Sequence, residues 1–242
     1  MNKFKRIQEL AEKRKGGAEQ LASLLTPPKT VRQLSKISDD RYLAQMTRCI
    51  FNAGFHWRVI TQKWPGFEEA FHRFDLEKLL VKSPDEWESY LQDERIVRNW
   101  QKIQTIFTNA VMVDEISADN SGFGKFIANW PVTDQVGLML LLKKQGARLG
   151  GATCQYFLRF IGKDSFIISN DVVAALNANG VEIDKKPTSQ RDLKLVQNAF
   201  NQWHEETGLP ITHISKILSY SAGDNNSVDV IKGYQGSQDV IN

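Results

Sequence analysis

Apolar residues recur at helical spacing along most of the chain. Ile96, Trp100, Ile103, Phe107, Ala110 and Val111 fall on one face and predict a long helix from Ile96 to Val113. Ile60, Phe67, Phe71 and Phe74 do the same over Val59 to Phe74. Similar spacing predicts helices over 3–15, 17–25, 29–36, 39–53, 122–129, 134–145, 152–161, 169–178, 189–206 and 211–221. Punctuation supports this reading. Gly16-Gly17 interrupts, Thr26-Pro27-Pro28 stops, and Ser38-Asp39-Asp40 is expected to cap the helix that follows. Ser83-Pro84-Asp85-Glu86 is a helix start with proline at the first helical position. No stretch alternates as a strand does, and no internal repeat is found. The fold class is all-α. Residues 224–242, rich in Gly, Ser, Asn and Asp, are expected to be a loosely held tail.

Composition narrows the class. The 242 residues are 41% hydrophobic and 24% charged, enough for a core and typical of globular proteins. No apolar run reaches the roughly 18 residues of a membrane span. The basic start lacks the apolar core of a secretory signal. Two cysteines are too few for a disulfide framework or an iron–sulfur cluster. No metal site and no cofactor are expected, and a reducing cytoplasm fits. Charge is uneven: residues 1–36 hold nine Lys/Arg and three acids, on a chain of net charge +3. Such a basic segment suits a polyanion such as DNA, or is a helix with a solvated lysine face. Charge alone leaves both open.

The sharpest local signal lies at 134–175. A helix is expected to end near Lys144-Gln145-Gly146, and the turn Arg148-Leu149-Gly150-Gly151 follows before Ala152-Thr153 opens another. Glycines in such a turn let the backbone approach a phosphate, whose oxygens the turn and helix N–H groups then bind. Lys143, Lys144 and Arg148 add positive charge. A structural turn between packed helices has the same pattern. Asp171 comes 20 positions after Gly151, before Val172-Val173. It is either a helix N-cap or a carboxylate available for chemistry.

Hairpin, apolar helix and then Asp before a Val-rich helix resembles the helix-hairpin-helix DNA glycosylase superfamily. Residues 49–75 narrow this to DNA-3-methyladenine glycosylase I, through Ala53-Gly54-x-x-Trp57 and Phe71-His72-Arg73-Phe74-Asp75. Ile96, Arg98, Lys102-Ile103-Gln104 and Asn109-Ala110 continue the match, which spans roughly 43–175. The resemblance implies that Asp171 is the catalytic carboxylate, stabilising positive charge on the sugar or activating water. It implies a base pocket of Trp57, Cys49, Phe55, His56 and Asn52. There Trp57 stacks on a flipped cationic base and Phe55 plugs the duplex. DNA-backbone contacts are expected from Arg148, Leu149, Gly150, Gly151, Thr153 and Lys102.

The sequence departs from the family twice. Cys49 stands where the family has a base-recognising glutamate, and the family's zinc site of two Cys and two His has no counterpart. In bifunctional superfamily members a nucleophilic lysine lies 18 or 19 residues before the Asp. Here those positions are Thr153 and Ala152, which cannot form a Schiff base. A monofunctional glycosylase is therefore expected.

The resulting expectation is an all-α helix-hairpin-helix glycosylase fold with two helical lobes and the active site between them. Residues 1–36 would be a basic helical extension, 37–223 the glycosylase domain and 224–242 a flexible tail. The partner would be double-stranded DNA containing a damaged base, with no membrane contact. The protein would act as a monomer, bacterial, cytoplasmic and nucleoid-associated. The activity implied is hydrolytic excision of an alkylated purine, foremost 3-methyladenine. The alternatives are a catalytically silent DNA-binding module and a glycosylase for another modified base.

Overall fold

A computed structural model describes residues 1–236, and all regular structure in them is helical. In chain order the helices are α1 (Phe4–Lys15), α2 (Ala18–Ala22), α3 (Val31–Ser35), α4 (Asp39–Asn52), α5 (Trp57–Ala70), α6 (Leu76–Leu80), α7 (Pro84–Ser89) and α8 (Trp100–Asn120). They continue as α9 (Phe123–Asn129), α10 (Gln135–Gln145), α11 (Gly151–Ile161), α12 (Asn170–Ala178), α13 (Gln190–Thr207), α14 (Ile211–Ser221) and α15 (Val228–Gly236). The expected all-α class is the observed one. None of these helices is long and apolar enough to cross a membrane.

The chain forms two compact units. One comprises 30–130 and 139–157, the other 1–29, 131–138 and 158–242. The first unit is built on α4, α5 and α8. Leu43, Phe51, Phe67, Phe71, Phe74, Ile103, Ile106 and Ala110 form its core. Trp64 is stacked between Phe67 and Phe74, at ring separations of 5.4 and 5.6 Å. The expected helix over 59–74 in fact ends at Ala70. His72, Arg73 and Phe74 then take positive φ, forming a left-handed turn that returns Phe74 to the core. Helical spacing cannot reveal this, because Phe71 and Phe74 are buried on either path.

Starts are set by side chains. Ser83 and Glu86 form a reciprocal capping box at α7. Asn99 accepts from the Lys102 N–H and so starts α8 at Trp100, later than the expected Ile96. Ser38 makes no side-chain cap at α4. Asp39 instead accepts from the Ser117 hydroxyl and the Phe123 N–H, tying α4 to α8 and α9.

The second unit corrects the expected boundary at residue 36. The basic N-terminal segment is no appendage: Phe4, Ile7, Ala11 and Leu21 lie in one core with Val172, Leu176, Phe200, Trp203, Ile214, Ile217 and Leu218. Burying a side chain of the size of Phe or Ile contributes about 1.5–3 kcal/mol, so α1 is held firmly. Its apolar face packs on α14 while Lys3, Lys5, Arg6 and Lys13 remain exposed. The expected tail is also more structured than its composition suggests, since 228–236 form α15; residues 237–242 of that tail lie outside the described residues.

Candidate active site

The first unit carries two groups of candidate side chains. Gln45, Cys49 and Asn52 share one face of α4, spaced i, i+4, i+7, and all three are buried. The Gln45 Nε2 donates to the Cys49 Sγ at 3.4 Å. Burial pushes the Cys49 thiol up to about 12, against the smaller opposing effects of Gln45 and the Arg48 charge. Cys49 is therefore a neutral thiol at physiological pH. The Asn52 Oδ1 is buried and has no partner among the described residues. An unpaired buried acceptor costs about 1–3 kcal/mol, so this atom is primed for a donor. Arg48 is occupied otherwise, lying over the Trp64 ring and donating to the Thr61 hydroxyl.

The second group lies on the segment 53–59, every residue of which is exposed. Phe55, Trp57 and Val59 show 37%, 36% and 40% of their surface, an apolar group facing solvent. The Trp57 ring meets Tyr156 edge to face at 5.8 Å. His56 is exposed at the residue before α5 and its side chain makes no cap. The five residues expected to form one pocket thus divide into two sets. Cys49 and Asn52 are buried, whereas Phe55, His56 and Trp57 stand at the surface.

Lys102, expected on the DNA backbone, is misassigned. It is buried, and its ammonium donates to the Phe51 carbonyl at 3.1 Å and the Ala53 carbonyl at 2.6 Å, closing the C-terminal end of α4. It also lies 4.4 Å from the Phe55 ring centroid. Burial, and secondarily the Arg148 charge, lower its pKa. Its role is to prop the exposed loop from behind.

The hairpin turn is held by one residue. Asn109, fully buried on α8, accepts from the Ala147 N–H at 2.8 Å and donates to the Ala147 carbonyl at 3.2 Å. Arg148 and Gly151 have φ of +56° and +53°, turning the chain sharply into α11. A side chain built at Gly151 would meet nothing within 4 Å, so the turn is open to an approaching group. The N–H groups of Arg148, Leu149, Gly150 and Gly151 find no acceptor among the described residues. Free N–H groups at a helix start make an anion cradle. The exposed Arg148 guanidinium is held by Gln101 at 2.7 Å. Leu149 corrects the expectation in part. Its side chain is buried and anchors the turn, leaving only its N–H for a ligand. Thr153 is half-buried in the first turn of α11.

In the second unit Asp171 is not the N-cap. Ser169 is, accepting from the Val172 N–H at 3.3 Å. Asp171 is the second residue of α12, half-buried, with no donor to its carboxylate among the described residues. The carboxylate lies at a helix end whose dipole favours negative charge. One side is covered by backbone, since a Cβ at Gly223 would overlap the whole carboxylate, its farthest oxygen at 2.7 Å.

Comparison with known proteins shows what the chain is similar to. The sequence pattern of the methyladenine glycosylase family matches residues 33–136. A DNA-3-methyladenine glycosylase of Haemophilus influenzae is 25% identical over 129 residues, covering 46% of this chain and 70% of that protein. Among solved structures, 3-methyladenine DNA glycosylase I of Staphylococcus aureus aligns over 52% of this chain and 77% of its own, at 23% identity and TM-score 0.46. The 8-oxoguanine glycosylase/lyase of Methanocaldococcus jannaschii, solved with DNA containing 8-oxoguanine, aligns over 89% of this chain and 96% of its own, at 16% identity and TM-score 0.50. That likeness, one of fold alone, extends beyond residues 33–136 on both sides.

Three residues of the site escape sequence reading. Gln45 could have been found from its i, i+4 relation to Cys49. Tyr156 and Gly223 carry no such signal, because each meets its partner only through tertiary folding.

Proposed function

We propose that this protein is a monofunctional DNA glycosylase that flips an alkylated purine, foremost 3-methyladenine, out of damaged double-stranded DNA and removes it by hydrolysis. The observation that carries this reading is the Asp171 carboxylate, without a donor among the described residues at the start of α12, in a chain whose residues 33–136 match the methyladenine glycosylase pattern. As the N-glycosidic bond lengthens, positive charge builds on the sugar. A carboxylate without competing donors stabilises that charge and accepts a proton from the water that captures it. Lysine is absent from positions 152 and 153, so capture by water leaves an abasic site.

The hairpin N–H groups of 148–151 and the Arg148 charge hold a phosphate without reading sequence. The exposed Phe55 and Trp57 serve insertion into the base stack and stacking on the extruded base. With Cys49 a neutral thiol, the base edge is read by amides. Asn52 offers its unpaired Oδ1 to an exocyclic amine, and Gln45 is the second amide on the same helix face.

The test is single-turnover base release from methylated duplex DNA. Wild type should release 3-methyladenine, and Asp171→Asn should lose about a thousandfold in rate while still binding the DNA. Equal release by both proteins would remove Asp171 from the chemistry. Binding with no release by either would favour a silent DNA-binding module.

A further inference from the structure

The basic residues at the end of α1 have a use that their charge alone does not suggest. The Arg14 Nε donates to the Tyr220 carbonyl at 2.9 Å, and its Nη2 donates to the carbonyls of Ala222 and Gly223 at 3.3 and 2.6 Å. Beside it Lys15 donates to the Asn225 Oδ1 at 3.2 Å and the Asn226 carbonyl at 2.8 Å. The two cations thus grip the segment 220–226, where the chain leaves α14 and its last carbonyls lack helical partners. Within that segment Gly223, at φ +65°, presses its Cα side against the Asp171 carboxylate.

The geometry points to Arg14 as a positioning residue for the glycosylase reaction, acting through Gly223 on Asp171. This rests on the reading of Asp171 given above. Among the described residues no hydrogen bond fixes the Asp171 carboxylate, so packing does so. The surface that meets it is the Gly223 backbone, and that backbone is held by a forked guanidinium that takes the carbonyls of Tyr220, Ala222 and Gly223. A lysine keeps the charge but cannot make the fork. The inference also separates Arg14 from its neighbours in sequence. Lys13, exposed to solvent, carries the same charge one residue earlier.

The experiment uses the full chain and methylated duplex DNA, measuring the dissociation constant and the single-turnover rate of base release at saturating protein. Arg14→Lys should lose about tenfold or more in rate, because small displacements of a catalytic group are costly. Its DNA affinity should stay within about twofold of wild type, since the Arg14 guanidinium is taken up by three backbone carbonyls. Lys13→Gln should behave as wild type. In an Asp171→Asn background, Arg14→Lys should have no further effect on the residual rate. Added guanidinium should restore much of the rate of Arg14→Ala, which shows that the variant is folded and lacks only the fork. Full activity of Arg14→Lys would overturn the proposal. So would a parallel loss of affinity in Arg14→Gln and Lys13→Gln with the rate at saturation untouched, since charge would then be what matters. If Asp171→Asn alone releases base at the wild-type rate, the reading of Asp171 fails first, and the proposal falls with it.

Discussion

Of the glycines at positive φ in this molecule, Gly151 and Gly223 have opposite surroundings. At Gly151 a side chain would meet nothing within 4 Å, and the neighbouring N–H groups find no acceptor among the described residues. At Gly223 a side chain would overlap a carboxylate, and the neighbouring carbonyls are taken up by Arg14. The first glycine keeps space for a ligand that the chain must admit. The second lets the backbone touch a side chain that the chain must hold. The residue type is the same in both, and only the neighbours reveal its purpose.

The comparison can be broken from either side. The largest effect is expected from Gly223→Ala, which should slow base release about a hundredfold or more by displacing Asp171, with DNA affinity little changed. Gly151→Val should do the reverse. A β-branched residue is strained at that φ, and DNA binding should weaken about tenfold while the rate at saturation stays near wild type. A smaller effect separates the cations around the open turn. Arg148→Gln should reduce the slope of log affinity against log salt by about one, whereas Lys102→Met should leave it unchanged. An unchanged slope in Arg148→Gln would remove that residue from phosphate binding.

The smallest effect near neutral pH concerns Cys154, in the first turn of α11 behind Gly151. Burial raises its thiol, like that of Cys49, to about 12 from 9. The folded state thus keeps protons that the unfolded chain loses above pH 9. The stability this gives is complete below pH 9 and is lost as pH rises towards 12. Each thiol adds a slope of at most about 1.4 kcal/mol per pH unit in that window. Unfolding measured between pH 9 and 11 should show a shallower slope in Cys154→Ala.

The open turn was readable in the sequence because its parts are contiguous: two glycines, an arginine and the start of an amphipathic helix. Asp171 was readable as a position, through its spacing from Gly151. Its surroundings were not, because Gly223 and Arg14 come from other parts of the chain. The three Arg14 hydrogen bonds span 206 to 209 residues of sequence. Lys102 was misread for a related reason. A lysine on a long helix looks solvated until folding places the carbonyls of Phe51 and Ala53 around its ammonium. The Phe71 to Phe74 motif showed its apolar content but not its left-handed path, since both phenylalanines face inward in either case.

The packing of α1 on α14 also sets a timetable for synthesis. Residues 30–130 form most of one unit as a continuous stretch, whereas α1 must wait for a partner some 200 residues later in the chain. At about 5–20 residues per second, that interval is roughly 10–40 s. During it Phe4, Ile7 and Ala11 have no core to enter, and the last turn of α1 carries Lys13, Arg14 and Lys15. A short, highly charged helix stays dissolved while it waits, and two of its cations, Arg14 and Lys15, then fasten the segment 220–226.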